Sequence, residues 1–271
     1  MISYPNAKIN LGLNVLRKRN DGFHEIESVF YPIPWFDILE MVPDSGKGKI
    51  TFSTSGIEVP SDGKPNLCER VYHRFADEFD IRSVKLHLHK TVPIGAGLGG
   101  GSSDAAFCSV MLNELFDLGL PAQRLEQIVA EVGSDCPFFI KNQPAYVTGR
   151  GEILEPTNVN LSGLWIYLVN PQLHIGTKEA YDGVFPAKPT YHLEEALELD
   201  FSHWQGAVKN DFEKSVFKIH PEIAEIKSKL IKSGAKFASM TGSGSTVFAL
   251  FESEPKQLPF AMSYITKIAQ L

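Results

Sequence analysis

The run Pro93-Ile94-Gly95-Ala96-Gly97-Leu98-Gly99-Gly100-Gly101-Ser102-Ser103-Asp104-Ala105-Ala106 carries the strongest chemical signal in the chain. Before it, residues 84–89 alternate apolar and polar side chains as a half-buried strand does. After it, Val110, Met111, Leu112 and Leu115 recur at helical spacing. A loop nearly bare of side chains between a strand and a helix can bring backbone N–H groups against phosphate oxygens, and the helix start adds partial positive charge. The pattern predicts a nucleotide-phosphate site. A Walker A loop is excluded, because Gly101 and Ser102 follow Gly100 where that motif needs Lys and then Ser or Thr. Gly95, Gly97 and Gly100 satisfy G-x-G-x-x-G, but Glu114, the acidic residue at the right distance, lies within the same predicted helix, which disfavours a dinucleotide site. The plain alternative is a flexible linker, yet linkers do not run from a strand into Ser-Ser-Asp-Ala-Ala, which reads as a helix cap and first turn. Ser102 and Ser103 therefore read as helix caps, as hydroxyls facing a magnesium ion or its water shell, or as both.

Two ionisable residues stand in less telling settings. Asp135 follows a predicted helix stop in Gly133-Ser134-Asp135-Cys136-Pro137, a turn that projects its carboxylate from a fixed point. Taken alone it is a turn residue. Lys8, in Ala7-Lys8-Ile9-Asn10-Leu11, is a lone lysine in an apolar strand, whose ordinary reading is snorkelling to solvent. His87 and His89 share one strand face, but no nearby Cys or carboxylate completes a metal set, so they are expected to be exposed strand histidines.

The elements that must position these groups are mixed in order. Residues 9–15 and 27–40 read as strands around an Asp21-Gly22 turn, and residues 49–55 as another. Residues 65–79 predict a helix, with Leu67, Val71, Phe75 and Phe79 on one face and Asn66 near its start. A helix over 103–116 follows the glycine loop, then a second over 121–132 with Gly133 as its stop. Residues 145–148 and 164–169 are strand-like, 221–232 is a clear amphipathic helix, and 237–240 with 246–251 predict a hairpin around Gly242-Ser243-Gly244. Such mixing favours an α+β fold. A border between two lobes is expected within 142–160, giving lobes of 1–150 and 151–271.

Composition narrows the partners. The 271 residues are 43% hydrophobic and 21% charged, ordinary for a globular protein able to bury a substantial core. A net charge of −6 gives no global attraction for nucleic acid or an anionic membrane, so bound nucleotides must rely on local cations and backbone N–H groups. The three cysteines, Cys68, Cys108 and Cys136, are scattered and odd in number, which fits a reduced, cytoplasmic setting. The first residues lack a signal-peptide pattern, and no apolar run approaches membrane-spanning length.

The glycine run closely resembles the ATP loop of the small-molecule kinase superfamily containing galactokinase, homoserine kinase and mevalonate kinase, the GHMP kinases. Two further blocks sharpen the likeness: Pro5-Asn6-Ala7-Lys8-Ile9-Asn10-Leu11-Gly12-Leu13 followed by Arg19-Asn20-Asp21-Gly22-Phe23-His24, and Met240-Thr241-Gly242-Ser243-Gly244-Ser245-Thr246. Together they resemble the branch of this superfamily whose acceptor is 4-diphosphocytidyl-2-C-methyl-D-erythritol, in non-mevalonate isoprenoid synthesis. The resemblance implies a two-lobed fold, with a ribosomal-protein-S5-domain-2-like ATP lobe and a ferredoxin-like α/β sandwich lobe. It implies ATP with Mg2+ as cosubstrate and a small cytidine-diphosphate acceptor, with the oligomeric state open between monomer and homodimer. Asp135 falls at the family's catalytic base, and Lys8 becomes its electrostatic partner. Residues 93–103 would hold the triphosphate, with Asn66 and Lys90 as secondary ATP contacts. Phe23 and His24 fall at cytosine-binding positions, where Phe23 replaces the usual Tyr and keeps the ring without its hydroxyl. Tyr181 matches the opposing aromatic, with Thr177 nearby, or is an ordinary half-buried helix tyrosine. Asn10 would bond the erythritol or phosphate end, and the turn at 240–246 is expected beside the phosphate loop. No clear glutamate for direct magnesium ligation is present. The rival readings are a sibling kinase for homoserine, mevalonate or a sugar, and a non-catalytic nucleotide-binding protein of the same fold.

Overall fold

The computed structural model describes residues 1–60 and 63–271, without the side chains of Lys47 and Thr177. In chain order the elements are β1 (Ile2–Ser3), β2 (Asn6–Lys18), β3 (His24–Phe36), β4 (Ile38–Lys47), β5 (Ile50–Gly56), α1 (Leu67–Glu78), β6 (Arg82–Lys90), α2 (Gly100–Leu115), α3 (Ala122–Ala130), α4 (Phe138–Lys141), β7 (Ala145–Thr148), β8 (Ile153–Pro156) and β9 (Trp165–Asn170). Then come α5 (Thr177–Asp182), α6 (Leu193–Glu198), a 3-10 turn (Phe201–His203), α7 (Trp204–Ala207), α8 (Glu213–Ile219), α9 (Pro221–Lys232), β10 (Phe237–Met240), β11 (Val247–Phe251) and β12 (Ile265–Gln270). The fold is α+β. Its contacts divide it into two compact units: one of Met1–Ala7, Trp35–Ile94 and Gly99–Gln143, the other of Lys8–Pro34, Gly95–Leu98 and Pro144–Leu271. A junction thus falls at Gln143/Pro144, while the 8–34 strands and four loop residues group with the C-terminal part.

In the first unit a four-stranded sheet, ordered β1-β4-β6-β5, buries one face under helices. Period-two alternation sends Leu39 and Met41 of β4 and Val84, Leu86 and Leu88 of β6 inward. Against them pack Val71, Tyr72 and Phe75 of α1 and Ala105, Cys108 and Leu112 of α2. Each Val, Leu, Met or Phe side chain among them contributes roughly 2 kcal/mol on burial. Helix α1 starts where Asn66 accepts the Cys68 N–H (2.9 Å) while the Glu69 carboxylate accepts the Asn66 N–H (2.7 Å), a reciprocal cap.

The expected strand over 27–40 is two strands in two sheets. The break is Asp37, fully buried, whose Oδ1 accepts the Thr91 and Val92 N–H groups (2.7 and 2.9 Å) while its Oδ2 accepts the Lys90 ammonium. A carboxylate committed to three donors fixes the chain at that point, which residue alternation does not register.

The second unit holds a sheet ordered β2-β3-β7-β8 and an antiparallel sheet ordered β10-β11-β9-β12. The apolar stripe of α9, Ile223, Ile226 and Leu230, lies in one core with Tyr167 and Val169 of β9 and with Met240 and Val247. Buried Glu27 joins the first sheet to α6: its carboxylate accepts from Asn14 (3.0 Å), Tyr146 (2.7 Å) and the Leu193 N–H (2.8 Å). The predicted helix over 221–232 and the 237–251 hairpin are present. Strands β8 and β12 and helices α6 to α8 were not signalled, because they are short and lack a sustained period.

Candidate active site

The glycine loop leaves β6 through Thr91 and enters α2 three residues earlier than periodicity suggests. Gly99 is the residue before the helix and takes the left-handed conformation (φ 69°), open to glycine at little cost. Gly100 and Gly101 are the first two helical residues, and no side chain caps this start. Ser102 and Ser103 therefore sit inside the first turn, so the cap reading fails for both. Ser103 is fully buried with its hydroxyl lacking a partner. Ser102 faces the Asp135 turn: its Oγ is 3.8 Å from where a Cβ on Gly133 would stand, and it lies against the Cys136 thiol. Burial drives that thiol up to about 12, so it is inert as a nucleophile. Asp135 is half-buried in a turn closed by the Cys136 N–H to the Gly133 carbonyl (3.1 Å), directly ahead of α4. The start of α2 and the carboxylate-bearing turn thus belong to one unit.

Lys90 is not laid open for a ligand. It is 3% exposed, and its ammonium is held by Asp37 and by Asp104 Oδ2 (2.8 Å). Burial opposes its charge, yet the two carboxylates outweigh that and hold its pKa above the usual lysine value. Asp104, on α2, is driven up to about 7, chiefly by burial; Lys90 opposes the rise and Asp37 adds to it. Its other oxygen, Oδ1, has no partner. A Cβ on Gly100 would stand 3.2 Å from the Lys90 Nζ, so this charged cluster lies directly under the first turn of α2. Asp37 and Asp104 were missed by sequence reasoning; a carboxylate interrupting a strand was the available signal for the first. Asn66, also expected at ATP, has its side chain engaged in capping α1.

In the other unit, Lys8 is buried on β2 and donates to Asn10 Oδ1 (2.6 Å), with its Nζ 4.4 Å from the Phe30 ring centre. The Lys8 backbone N–H donates to the carbonyl of Leu98, in the glycine loop (2.9 Å). Asn10 donates from its amide to Ser28 Oγ (2.9 Å), and its backbone N–H donates to Thr241 Oγ1 (3.0 Å). Thr241 in turn donates to the Gly97 carbonyl (3.0 Å). A Cβ on Gly97 would be 2.0 Å from the Thr241 carbonyl oxygen, and Gly97 has φ 76°, so glycine alone fits. Asn210, overlooked in the sequence, holds this turn by donating to the Met240 and Gly242 carbonyls (2.7 and 2.9 Å). The turn at 240–246 therefore packs on the glycine loop, as expected. The same unit contains Phe23, His24 and Tyr181. The His24 and Tyr181 rings stack at 4.5 Å and 14°, Tyr181 meets Phe212 edge-on at 4.8 Å, and Phe23 is exposed. Thr177 opens α5, and its side chain lies outside the described residues. Lys8 and Asp135 fall in different units.

His87 and His89 are spent on Ser53 and Ser55 at 2.8–2.9 Å, and among the described residues no group of three His, Cys, Asp or Glu could hold a metal. The three cysteines are free thiols.

Residues 66–145 match the family model for the GHMP kinases N-terminal domain, and residues 192–263 match the GHMP kinases C-terminal model. A protein of Cytophaga hutchinsonii named 4-diphosphocytidyl-2-C-methyl-D-erythritol kinase is 49% identical over 257 residues, covering 94% of each chain. The chain belongs to the 4-diphosphocytidyl-2-C-methyl-D-erythritol kinase family of GHMP kinases. A namesake from Bacteroides fragilis is 45% identical, again over 94% of each chain. A crystal structure of 4-(cytidine 5'-diphospho)-2C-methyl-D-erythritol kinase superposes with a TM-score of 0.80 at 31% identity, covering 94% of this chain and 91% of that one. The mevalonate kinase of Methanococcus jannaschii shares the fold, with a TM-score of 0.68 at 12% identity over 92% and 90% of the two chains. Among the described residues no helix is long and apolar enough to cross a membrane.

Proposed function

We propose that this kinase transfers the γ-phosphoryl group of ATP to the 2-hydroxyl of 4-diphosphocytidyl-2-C-methyl-D-erythritol, in the non-mevalonate route to isoprenoid precursors. The observation that carries the reading is the tether of Lys8. Its ammonium is buried, oriented by Asn10, and tied through its own backbone to Leu98 of the glycine loop, so positive charge is fixed to the segment built for phosphate. Phosphoryl transfer asks of a protein chiefly such positioning and electrostatic stabilisation.

The residues fit a triphosphate. Gly100 and Gly101 present backbone without side chains at an uncapped helix start, where N–H groups and the helix dipole favour an anion. ATP, when bound, supplies the phosphoryl group. Asp135 is the base: it accepts the proton of the attacking hydroxyl. Lys8 stabilises the charge that develops on that oxygen. The donor set suits magnesium held mainly by the phosphates, with the Ser102 hydroxyl as the protein group at hand, because no carboxylate cluster stands ready among the described residues. Lys90 and its two aspartates support the first turn of α2 from below rather than touching nucleotide. Phe23, His24 and Tyr181 receive the cytosine, and Asn10 the erythritol end. The protein works as a monomer or homodimer in the cytoplasm.

The test is ADP release with the cytidylyl acceptor, against homoserine, mevalonate and no acceptor. Release confined to the cytidylyl compound is expected. Equal or greater release with homoserine or mevalonate would transfer the protein to a sibling activity, and no acceptor-dependent release at all would leave a binding protein.

A further inference from the structure

Phe23 is 53% exposed at the mouth of the β2–β3 turn, and a phenyl ring has no polar handle to hold it at a wet surface. A neighbouring turn supplies one. The guanidinium carbon of Arg150 lies 4.8 Å from the Phe23 ring centre. Arg150 stands at the tip of the β7–β8 hairpin between Gly149 and Gly151, both with positive φ. That tip is anchored to β3, because the Ile26 N–H donates to the Gly149 carbonyl (2.8 Å). Glu152 accepts from both the Arg150 backbone N–H and its Nε, aiming the guanidinium. On the other side, the Phe23 N–H donates to Asp21 Oδ1 (3.1 Å), Arg19 Nε donates to Asp21 Oδ2 (3.0 Å), and the Arg19 N–H donates to the Phe23 carbonyl (2.8 Å). Backbone and ring of Phe23 are thus fixed from two directions. Such an arrangement is more than an exposed aromatic needs for folding, since the ring buries little.

We propose that Arg150 is a positioning residue for the acceptor: it holds the Phe23 ring as a preformed platform for the pyrimidine of a cytidine diphosphate, and so sets acceptor affinity without taking part in phosphoryl transfer. Preorganisation is the means, because a ring already immobilised loses less entropy when a base stacks on it. The inference rests on the acceptor assignment above. A guanidinium over an exposed ring is worth about 0.5–1 kcal/mol, or a two- to fivefold effect.

The experiment compares wild type, Arg150→Ala, Arg150→Lys, Phe23→Ala and the Arg150→Ala/Phe23→Ala pair, with the dissociation constant for CDP measured by calorimetry beside kcat and both KM values. Arg150→Ala should weaken CDP binding and raise the acceptor KM two- to fivefold, with kcat and the ATP KM unchanged. Arg150→Lys, which keeps the charge but not the flat fork, should fall between. In the Phe23→Ala background, Arg150→Ala should have no further effect. If wild type turns over the acceptor and Arg150→Ala matches it in CDP affinity, the proposal is wrong; so too if the two substitutions add, or if kcat falls. A wild type that neither binds CDP nor uses the acceptor would overturn the acceptor assignment, and this inference with it.

Discussion

Replacing Asp104 by asparagine tests the charged cluster beneath α2, and its sign is unusual. A carboxyl that titrates near 3.8 in the unfolded chain and near 7 in the folded one binds more protons when folded throughout that interval. Stability is then fullest at the acid end and is lost as pH rises towards 7. Between pH 5 and pH 8 the loss due to Asp104 alone is roughly 2–3 kcal/mol, and the whole window is worth about 4 kcal/mol. Asparagine keeps the shape, still offers an oxygen to Lys90, and carries no charge to desolvate. Asp104→Asn should therefore be flatter than wild type over pH 5–8 and more stable at pH 8 by up to about 4 kcal/mol. Urea denaturation followed by tryptophan fluorescence reads this, and the difference between the two proteins removes every pH-dependent contribution they share. Parallel pH profiles, or an asparagine variant less stable at both ends of the range, would mean that the three charges stabilise the fold as an ionised set. The account of burial outweighing the lysine would then be wrong.

Lys8→Ala and Asp135→Asn should each reduce turnover by at least about a hundredfold while leaving ATP affinity nearly intact, because each is assigned to the reacting oxygen; equilibrium ATP binding beside single-turnover rates checks it. Gly97→Ala sets a Cβ 2.0 Å from the Thr241 carbonyl at φ 76° and should cost about 2 kcal/mol or more of stability together with ATP affinity, read by thermal melting and ATP titration. Gly101→Ala meets nothing closer than Leu67 Cδ1 at 3.7 Å, so the fold should survive while ATP binding weakens, because the methyl fills backbone space reserved for phosphate. Asn66→Ala should lower stability by about 1 kcal/mol through loss of the cap, and Asn66→Asp should restore it, as measured by denaturant midpoints.

Much of the site was legible because phosphate chemistry demands a rare composition. Three consecutive glycines between strand and helix periods have few other uses, and the lysine block with Asp21-Gly22-Phe23-His24 points to the branch. Periodicity found α1, α3 and α9 to within a few residues, since each buries a continuous apolar stripe. It misplaced the start of α2, where glycine, a poor helix former, is helical because tertiary packing overrides propensity. The partners of Lys90 and Asn66, which the family resemblance offers as secondary ATP contacts, are set by packing that no sequence pattern registers: Asp37 and Asp104 for the one and the α1 backbone for the other. Arg150 had no signal at all: a lone arginine between two glycines reads as an ordinary hairpin tip until Phe23 is seen beneath it.

The clasp of Thr241 on Gly97 joins residues 144 positions apart. During synthesis the glycine segment leaves the ribosome long before the strand pair that locks it, so nucleotide cannot help to fold the nascent N-terminal half. Competence for ATP should instead arrive late and abruptly, and chains cut short before β10 should fail to retain nucleotide.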